Sequence, residues 1–321
     1  MVPDAFDYVG AVSGSRQRMI RDLAATAAAT AGTAGAGWGA WTFLNGQARA
    51  ARTVIPHRTD NAPNGDGIYG PDGVGPIRFR RSEPFDLHLM IFGDSTAAGL
   101  GAEVADETPG VQLTRMLADE TGRRIRLSTK AIVGATSRGL SGQVDAMLIA
   151  GPPPDVAVIF IGANDVTSTS GIRASAKRLG SAVRRLHDAG AHVVVGTCPD
   201  LGVVAMIPQP LRTVIRQWGL RLAAAQAVET TAAGGKPVPL ADLLAREFLA
   251  APDRMLSADN YHPSAAGYEL AARTLLPAVL AAVGEWGSGP LPDPPEVSAI
   301  AEDNRWSRRM REYVERAARH R

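Results

Sequence analysis

Between Leu87 and about residue 283 the apolar positions change period again and again, from short unbroken runs to one position in every three or four. The runs Leu87–Phe92, Ile125–Ser128, Asp155–Ile161, His192–Gly196 and Lys236–Leu240 predict strands, and Asp155–Ile161 reads as buried on both faces. Helical spacing fills the stretches between them, over 107–121, 139–150, 171–189 and 208–232, and Pro263 opens a last helix running to about 283. Gly151-Pro152-Pro153-Pro154 and Gly190 supply stops where helices should end. Strands alternating with helices call for right-handed crossovers and a parallel sheet covered on both faces. The architecture expected is a flavodoxin-like three-layer α/β/α sandwich with a central parallel sheet.

The rhythm fails on either side. Residues 1–86 are rich in Ala, Gly, Thr, Pro and Asp, and residues 285–321 open on a proline-rich linker and end in a basic tail, so one core domain over 87–284 with two appendages is expected. Within the lead, 26 uncharged residues from Leu23 to Ala48 follow Arg16, Arg18 and Arg21 and precede a small-x-small step at Ala48-Arg49-Ala50. That is the arrangement of a signal peptide or signal anchor, although Leu23, Trp38, Trp41, Phe43 and Leu44 are its only strongly apolar residues. Export, with membrane or cell-envelope association, is the expectation; the alternative is an Ala-rich soluble helix or disordered lead on a cytoplasmic protein. Seven Arg against two Glu between Arg305 and Arg321 predict either a solvated surface helix or one drawn to an anionic surface.

The net charge of +2 gives no reason to expect nucleic acid as a partner. A single cysteine, Cys198, excludes an intramolecular disulfide and, at the end of a predicted strand, reads as apolar filler. No Cys or His cluster has metal-ligand spacing, and neither metal nor other cofactor is expected.

Three islands carry chemistry: Phe92-Gly93-Asp94-Ser95, Ile161-Gly162-Ala163-Asn164-Asp165 and Asp259-Asn260-Tyr261-His262-Pro263. Ser95, Gly134 and Asn164 each follow a different predicted strand, and the carboxyl ends of a parallel sheet form its ligand crevice. A serine hydroxyl is a weak nucleophile until a base takes its proton, and His262 with Asp259 three residues earlier supplies a base and an orienting carboxylate. Each island has a plainer reading. Gly-Asp-Ser is common turn chemistry, Gly-Ala-Asn-Asp suits a capping loop, and Asp-x-x-His-Pro suits the start of a helix.

Taken in order, these blocks resemble those of the SGNH (GDSL-type) esterase and lipase family, over roughly three-fifths of the chain. The resemblance implies a Ser95, Asp259, His262 triad. It also implies an oxyanion hole made by the backbone N–H of Ser95, the backbone N–H of Gly134 and the side-chain amide of Asn164. The second block departs from the pattern, reading Lys130-Ala131-Ile132-Val133-Gly134-Ala135-Thr136 where relatives often carry Ser before the glycine. The implied activity is carboxylic ester hydrolysis through an acyl-serine on short to medium acyl groups, with a small-molecule or lipid ester as substrate. Two alternatives stand beside it: an acyl or acetyl transferase or deacetylase acting on cell-envelope glycans, and a non-catalytic envelope-binding protein with a vestigial site. The apolar stretch 201–210 is a candidate acyl-pocket wall, lid or core segment, and aromatics at 5% offer no sugar-stacking platform.

Overall fold

The computed structural model describes residues 42–43, 46–47, 62–168, 170–285 and 298–302. All but four residues of the expected signal or anchor segment 23–48, and the whole basic tail 305–321, lie outside the described residues. Among the described residues no helix is long and apolar enough to cross a membrane. Two compact units, Met1–Val54 and Ile55–Arg321, divide the chain, and the elements below belong to the second.

Six strands form one sheet: β1 (Gly67–Tyr69), β2 (Leu87–Gly93), β3 (Ile125–Thr129), β4 (Val156–Phe160), β5 (His192–Gly196) and β6 (Lys236–Val238), in the spatial order β1-β3-β2-β4-β5-β6. All neighbours run parallel except β1, which pairs antiparallel with β3. The helices are α1 (Ser95–Ala98), α2 (Pro109–Thr121), α3 (Leu140–Ala150), α4 (Ala163–Thr167), α5 (Ile172–Asp188), α6 (Leu211–Ala232), α7 (Leu240–Ala250), α8 (Pro252–Met255) and α9 (Ala265–Ala282).

Side chains alternate across a pleated strand, so the unbroken apolar run of β2 supplies two cores. Leu89 and Ile91 pack with Leu113 and Leu117 of α2 and with Leu275 and Val279 of α9. Met90 and Phe92 join Val144 of α3 and Leu179 and Val183 of α5 on the opposite face. This is the expected three-layer α/β/α sandwich with its mostly parallel central sheet.

The chain order of the strands places the site. β3 lies on one side of β2 and β4 on the other, which makes the carboxyl end of β2 a point where successive connections diverge and a crevice opens. Backbone groups leaving a sheet end lose their ladder partners and need others. Gln143 of α3 provides both for Gly93, accepting from its N–H at 2.9 Å and donating to its carbonyl at 2.7 Å. Gln226 of α6 does the same between neighbouring strand ends, accepting from Cys198 N–H at 2.7 Å and donating to Ile161 O at 2.8 Å.

Several expectations are corrected. β1 falls inside the stretch assigned to the lead, so the sheet begins by Gly67 rather than Leu87. Its three residues are too few for a period to show. The last strand ends at Val238, because Pro239 and Leu240 open the amphipathic helix α7, which was not expected. The final helix begins after Pro263: Ser264 is its N-cap, accepting from Gly267 N–H at 3.2 Å. In the 201–210 stretch Leu201, Val204 and Ile207 are buried against Ile215 and Leu222 of α6, while Ala205 and Pro208 to Pro210 are exposed, so only part of it is core.

Candidate active site

Ser95 is the first residue of α1, directly after β2. The turn that lifts it off the sheet needs glycine before it. Gly93 has φ +137°, and a Cβ there would sit 1.8 Å from Phe160 O on β4. Asp94 caps α1, accepting from Thr96 N–H at 3.0 Å. Its carboxyl is buried, and burial pushes its pKa up to about 6 against the pull of the Thr96 bond and nearby His262.

His262 arrives from the far end of the chain. Tyr268 of α9 donates its hydroxyl to Leu100 O at 2.6 Å, and Gly101, with φ +107°, lets the loop after α1 pass where a Cβ would meet Pro263 O at 2.6 Å. The backbone closes the histidine loop on itself through Ser257 N–H donating to His262 O at 2.8 Å. The result is a relay: His262 Nε2 lies 3.1 Å from Ser95 Oγ, and His262 Nδ1 lies 2.8 Å from Asp259 Oδ2.

Asp259 is more than a partner in that line. Its Oδ1 accepts from Ser257 Oγ at 2.8 Å, Tyr261 N–H at 2.9 Å and His262 N–H at 2.8 Å. Burial raises the carboxyl's pKa, but the bonds from the His262 ring and backbone, Tyr261 and Ser257 together outweigh it and hold the group below the usual carboxylate range. The His262 and Asp259 side chains are only 6% and 5% exposed, so their contact is formed in a largely dry setting. Helix capping, the plainer reading of Asp-x-x-His-Pro, does not apply to Asp259, because the cap of α9 is Ser264.

The other two expected residues lie on the adjoining loops. Gly134 is exposed, with φ +80°, in the loop after β3, and that loop is tied to the end of β2 by Ile132 N–H donating to Gly93 O at 3.1 Å. Asn164, in α4 after β4, donates its amide to Ala135 O at 3.0 Å, beside Gly134. The three loops carrying Ser95, Gly134 and Asn164 are thus stitched into one rim. Asp165 braces it from beneath, accepting from Ser137 N–H and Oγ at 2.8 and 2.7 Å and from Ser175 Oγ at 2.8 Å.

A cavity of about 90 Å³ lies beside the relay, lined by Asp94, Thr96 and His262 and by apolar residues including Leu201, Val203, Leu240, Leu244 and Phe248. Leu201 and Val203 therefore do serve as wall, as the stretch 201–210 allowed. Cys198 is fully buried, and burial pushes its thiol far above the ordinary range, which leaves it inert as expected. Among the described residues no group of His, Cys, Asp and Glu side chains could hold a metal ion.

Residues 91–270 match the model of the GDSL-like lipase/acylhydrolase family. The chain belongs to this family. It is similar to the GDSL-like esterase Rv1075c of Mycobacterium tuberculosis, 58% identical over 262 residues that cover 81% of this chain and 83% of the relative. Family membership and this relative make the chain an esterase or lipase acting on small-molecule esters, and they set aside the vestigial-site alternative. Among solved structures the chain is similar to TesA, at 24% identity and TM-score 0.47, covering 61% of this chain and 99% of that one. A lipase/acylhydrolase from Enterococcus faecalis matches at 23% identity and TM-score 0.48, covering 61% and 96%.

Sequence reasoning missed the supports of this family site. Ser257 and Tyr261 both donate to Asp259, and Tyr261 also packs edge-on against the His262 ring, with centroids 5.0 Å apart. Their nearness in sequence to His262 was the available signal. Nothing in the sequence marked Gln143, 50 residues from the glycine it braces.

Proposed function

We propose that the chain hydrolyses carboxylic esters of short to medium acyl chains through an acyl-serine on Ser95, with His262 as general base and acid and Asp259 orienting it. The relay of 3.1 and 2.8 Å from Ser95 through His262 to Asp259 is the observation that carries this reading. With Nδ1–H donating to Asp259, Nε2 has a free lone pair facing the serine hydroxyl. As Oγ attacks the ester carbonyl, Nε2 takes its proton, and the carbonyl oxygen becomes an oxyanion. The backbone N–H groups of Ser95 and Gly134 and the amide of Asn164 are its proposed donors; one amide hydrogen of Asn164 is spent on Ala135 O and the second is available to the oxyanion. The imidazolium returns the proton to the departing alcohol, leaving the acyl-serine. Water then attacks it with His262 again as base, which releases the acid and restores the hydroxyl.

The cavity sets the acyl preference. Its 90 Å³ offers room for roughly six water-sized groups, and its walls are apolar. An acyl chain of about four to six carbons fills it without displacing Leu244 or Phe248. Measured on a series of p-nitrophenyl esters, kcat/KM should peak in that range and fall at least tenfold by twelve carbons. A profile still rising at twelve carbons would show that the chain lies elsewhere.

A further inference from the structure

A second cavity, outside the active site, lies over β3, on the face that α3 and α5 cover for the neighbouring strands. Its volume is about 440 Å³, within the range of small-molecule sites. None of its lining residues lines the active-site cavity, and Met90, the one nearest Ser95 along β2, lies five residues before it, on the order of 16 Å of extended chain. The cavity is therefore separate from the reacting serine.

Its chemistry is of two kinds. Alternate residues of β3 and the position after it, Arg126, Ser128 and Lys130, point into it, and Arg81 adds a third cation from the segment before β2. Phe79, Phe85, Met90 and Met147 make the remaining wall apolar. The Arg126 guanidinium lies 3.5 Å from the Phe79 ring centroid, which fixes its plane, yet its Nε is buried with no hydrogen-bond partner. No ion pair of Arg81, Arg126 or Lys130 is formed among the described residues. The nearby carboxylate that acts on Arg126 and Lys130 is Asp66, which is occupied in accepting from Thr129 N–H at 2.8 Å. His88, bonded to Ser128 Oγ at 2.9 Å, is kept neutral because burial and those two cations push its pKa down to about 4. Three cations against Asp66 and Asp155, the latter accepting from His88 N–H at 2.7 Å, leave a positive excess around a buried, unsatisfied guanidinium donor.

We propose that this cavity is a second binding site, for a phosphomonoester whose organic part is apolar. A phosphomonoester carries close to two negative charges at neutral pH, opposite in sign to the three lining cations, and presents three acceptor oxygens to Arg126, Lys130, Arg81 and Ser128. The apolar part of the ligand packs on Phe85, Met90 and Met147. A neutral alcohol lacks the charge, and inorganic phosphate lacks the apolar contact.

The test is calorimetric titration of the full chain carrying Ser95→Ala, with octyl phosphate, inorganic phosphate and octanol as separate probes. Octyl phosphate should bind at least tenfold more tightly than either of the others. Arg126→Met, which keeps a long side chain on Phe79, and Lys130→Met should each weaken octyl phosphate binding about tenfold. On the Ser95 background the same two substitutions should leave ester hydrolysis within twofold of wild type. Thermal melts establish that both variants are folded, and Lys130→Met, on a partly exposed residue, keeps the test decisive should Arg126→Met unfold. Octanol or inorganic phosphate binding as tightly as octyl phosphate would overturn the proposal. So would folded Lys130→Met binding octyl phosphate like the parent.

Discussion

Replacing Asp259 by Asn separates the relay from mere proximity, because the surroundings of the side chain decide which way the new amide points. At Oδ1 three donors converge, Ser257 Oγ, Tyr261 N–H and His262 N–H, all within 2.9 Å. Placing the NH2 group there would forfeit all three bonds at about 1 kcal/mol each, at least 3 kcal/mol in total, so that orientation is populated under about 1%. The amide therefore keeps its oxygen at Oδ1 and directs an N–H at His262 Nδ1, 2.8 Å away. Nδ1 must then accept, the ring proton moves to Nε2, and Nε2–H faces Ser95 Oγ as a donor unable to take its proton. The tautomer alone costs about a hundredfold, and losing the charge that steadies the imidazolium brings the loss to about a thousandfold or more. Steady-state kcat/KM on p-nitrophenyl butyrate, beside a thermal melt, reads this directly. A folded Asp259→Asn variant within tenfold of wild type would refute the assignment and require another acid to orient His262.

Three further outcomes follow from the same geometry. Asn164→Ala should lower kcat about a hundredfold with little change in KM, as for an oxyanion donor, and a change confined to KM would make Asn164 a substrate-binding residue instead. Asp94, whose pKa rises from 3.8 to about 6 on folding, contributes stability that is full below pH 3.8 and lost as pH climbs through 6. The Asp94→Asn variant should therefore gain roughly 2 kcal/mol relative to wild type between pH 4 and 7, and parallel denaturation curves at the two pH values would contradict this. Asp259 acts in the opposite sense, its contribution being full above pH 3.8 and lost as pH falls below it, outside that window. For location, removing residues 1–50 should leave the esterase active but absent from the envelope fraction, and full-length protein in the cytosolic fraction would overturn the export proposal.

How much the sequence disclosed depended on length and period. β2 and β4 announced themselves because strands buried on both faces leave unbroken apolar runs, and the loops after them held Ser95 and Asn164. β1 has three residues and lies among turns, too short for any period, and it gains its stability from Leu127, Arg126 and Ile125 across the ladder. α7 was hidden because Pro239 and Leu240 continue the apolar run of β6 and only the later spacing of Leu244 and Phe248 is helical. Within the site, the residue types of the relay were legible and their approach was not. Contact between Ser95 and His262 spans 167 residues and depends on Gly101, Tyr268 and Gln143, none of which carries chemistry of its own. Such supports are packing facts, and a sequence motif records only what reacts.

The central claim is that Ser95 is the nucleophile, raised to reactivity by His262. Intact-mass analysis after exposure to a fluorophosphonate, followed by peptide mapping, tests it most directly. One adduct per chain, located on the peptide containing Ser95, abolished by Ser95→Ala and slowed at least a hundredfold by His262→Ala, is the result expected. An adduct on any other residue, or labelling of a folded Ser95→Ala variant at the wild-type rate, would contradict it.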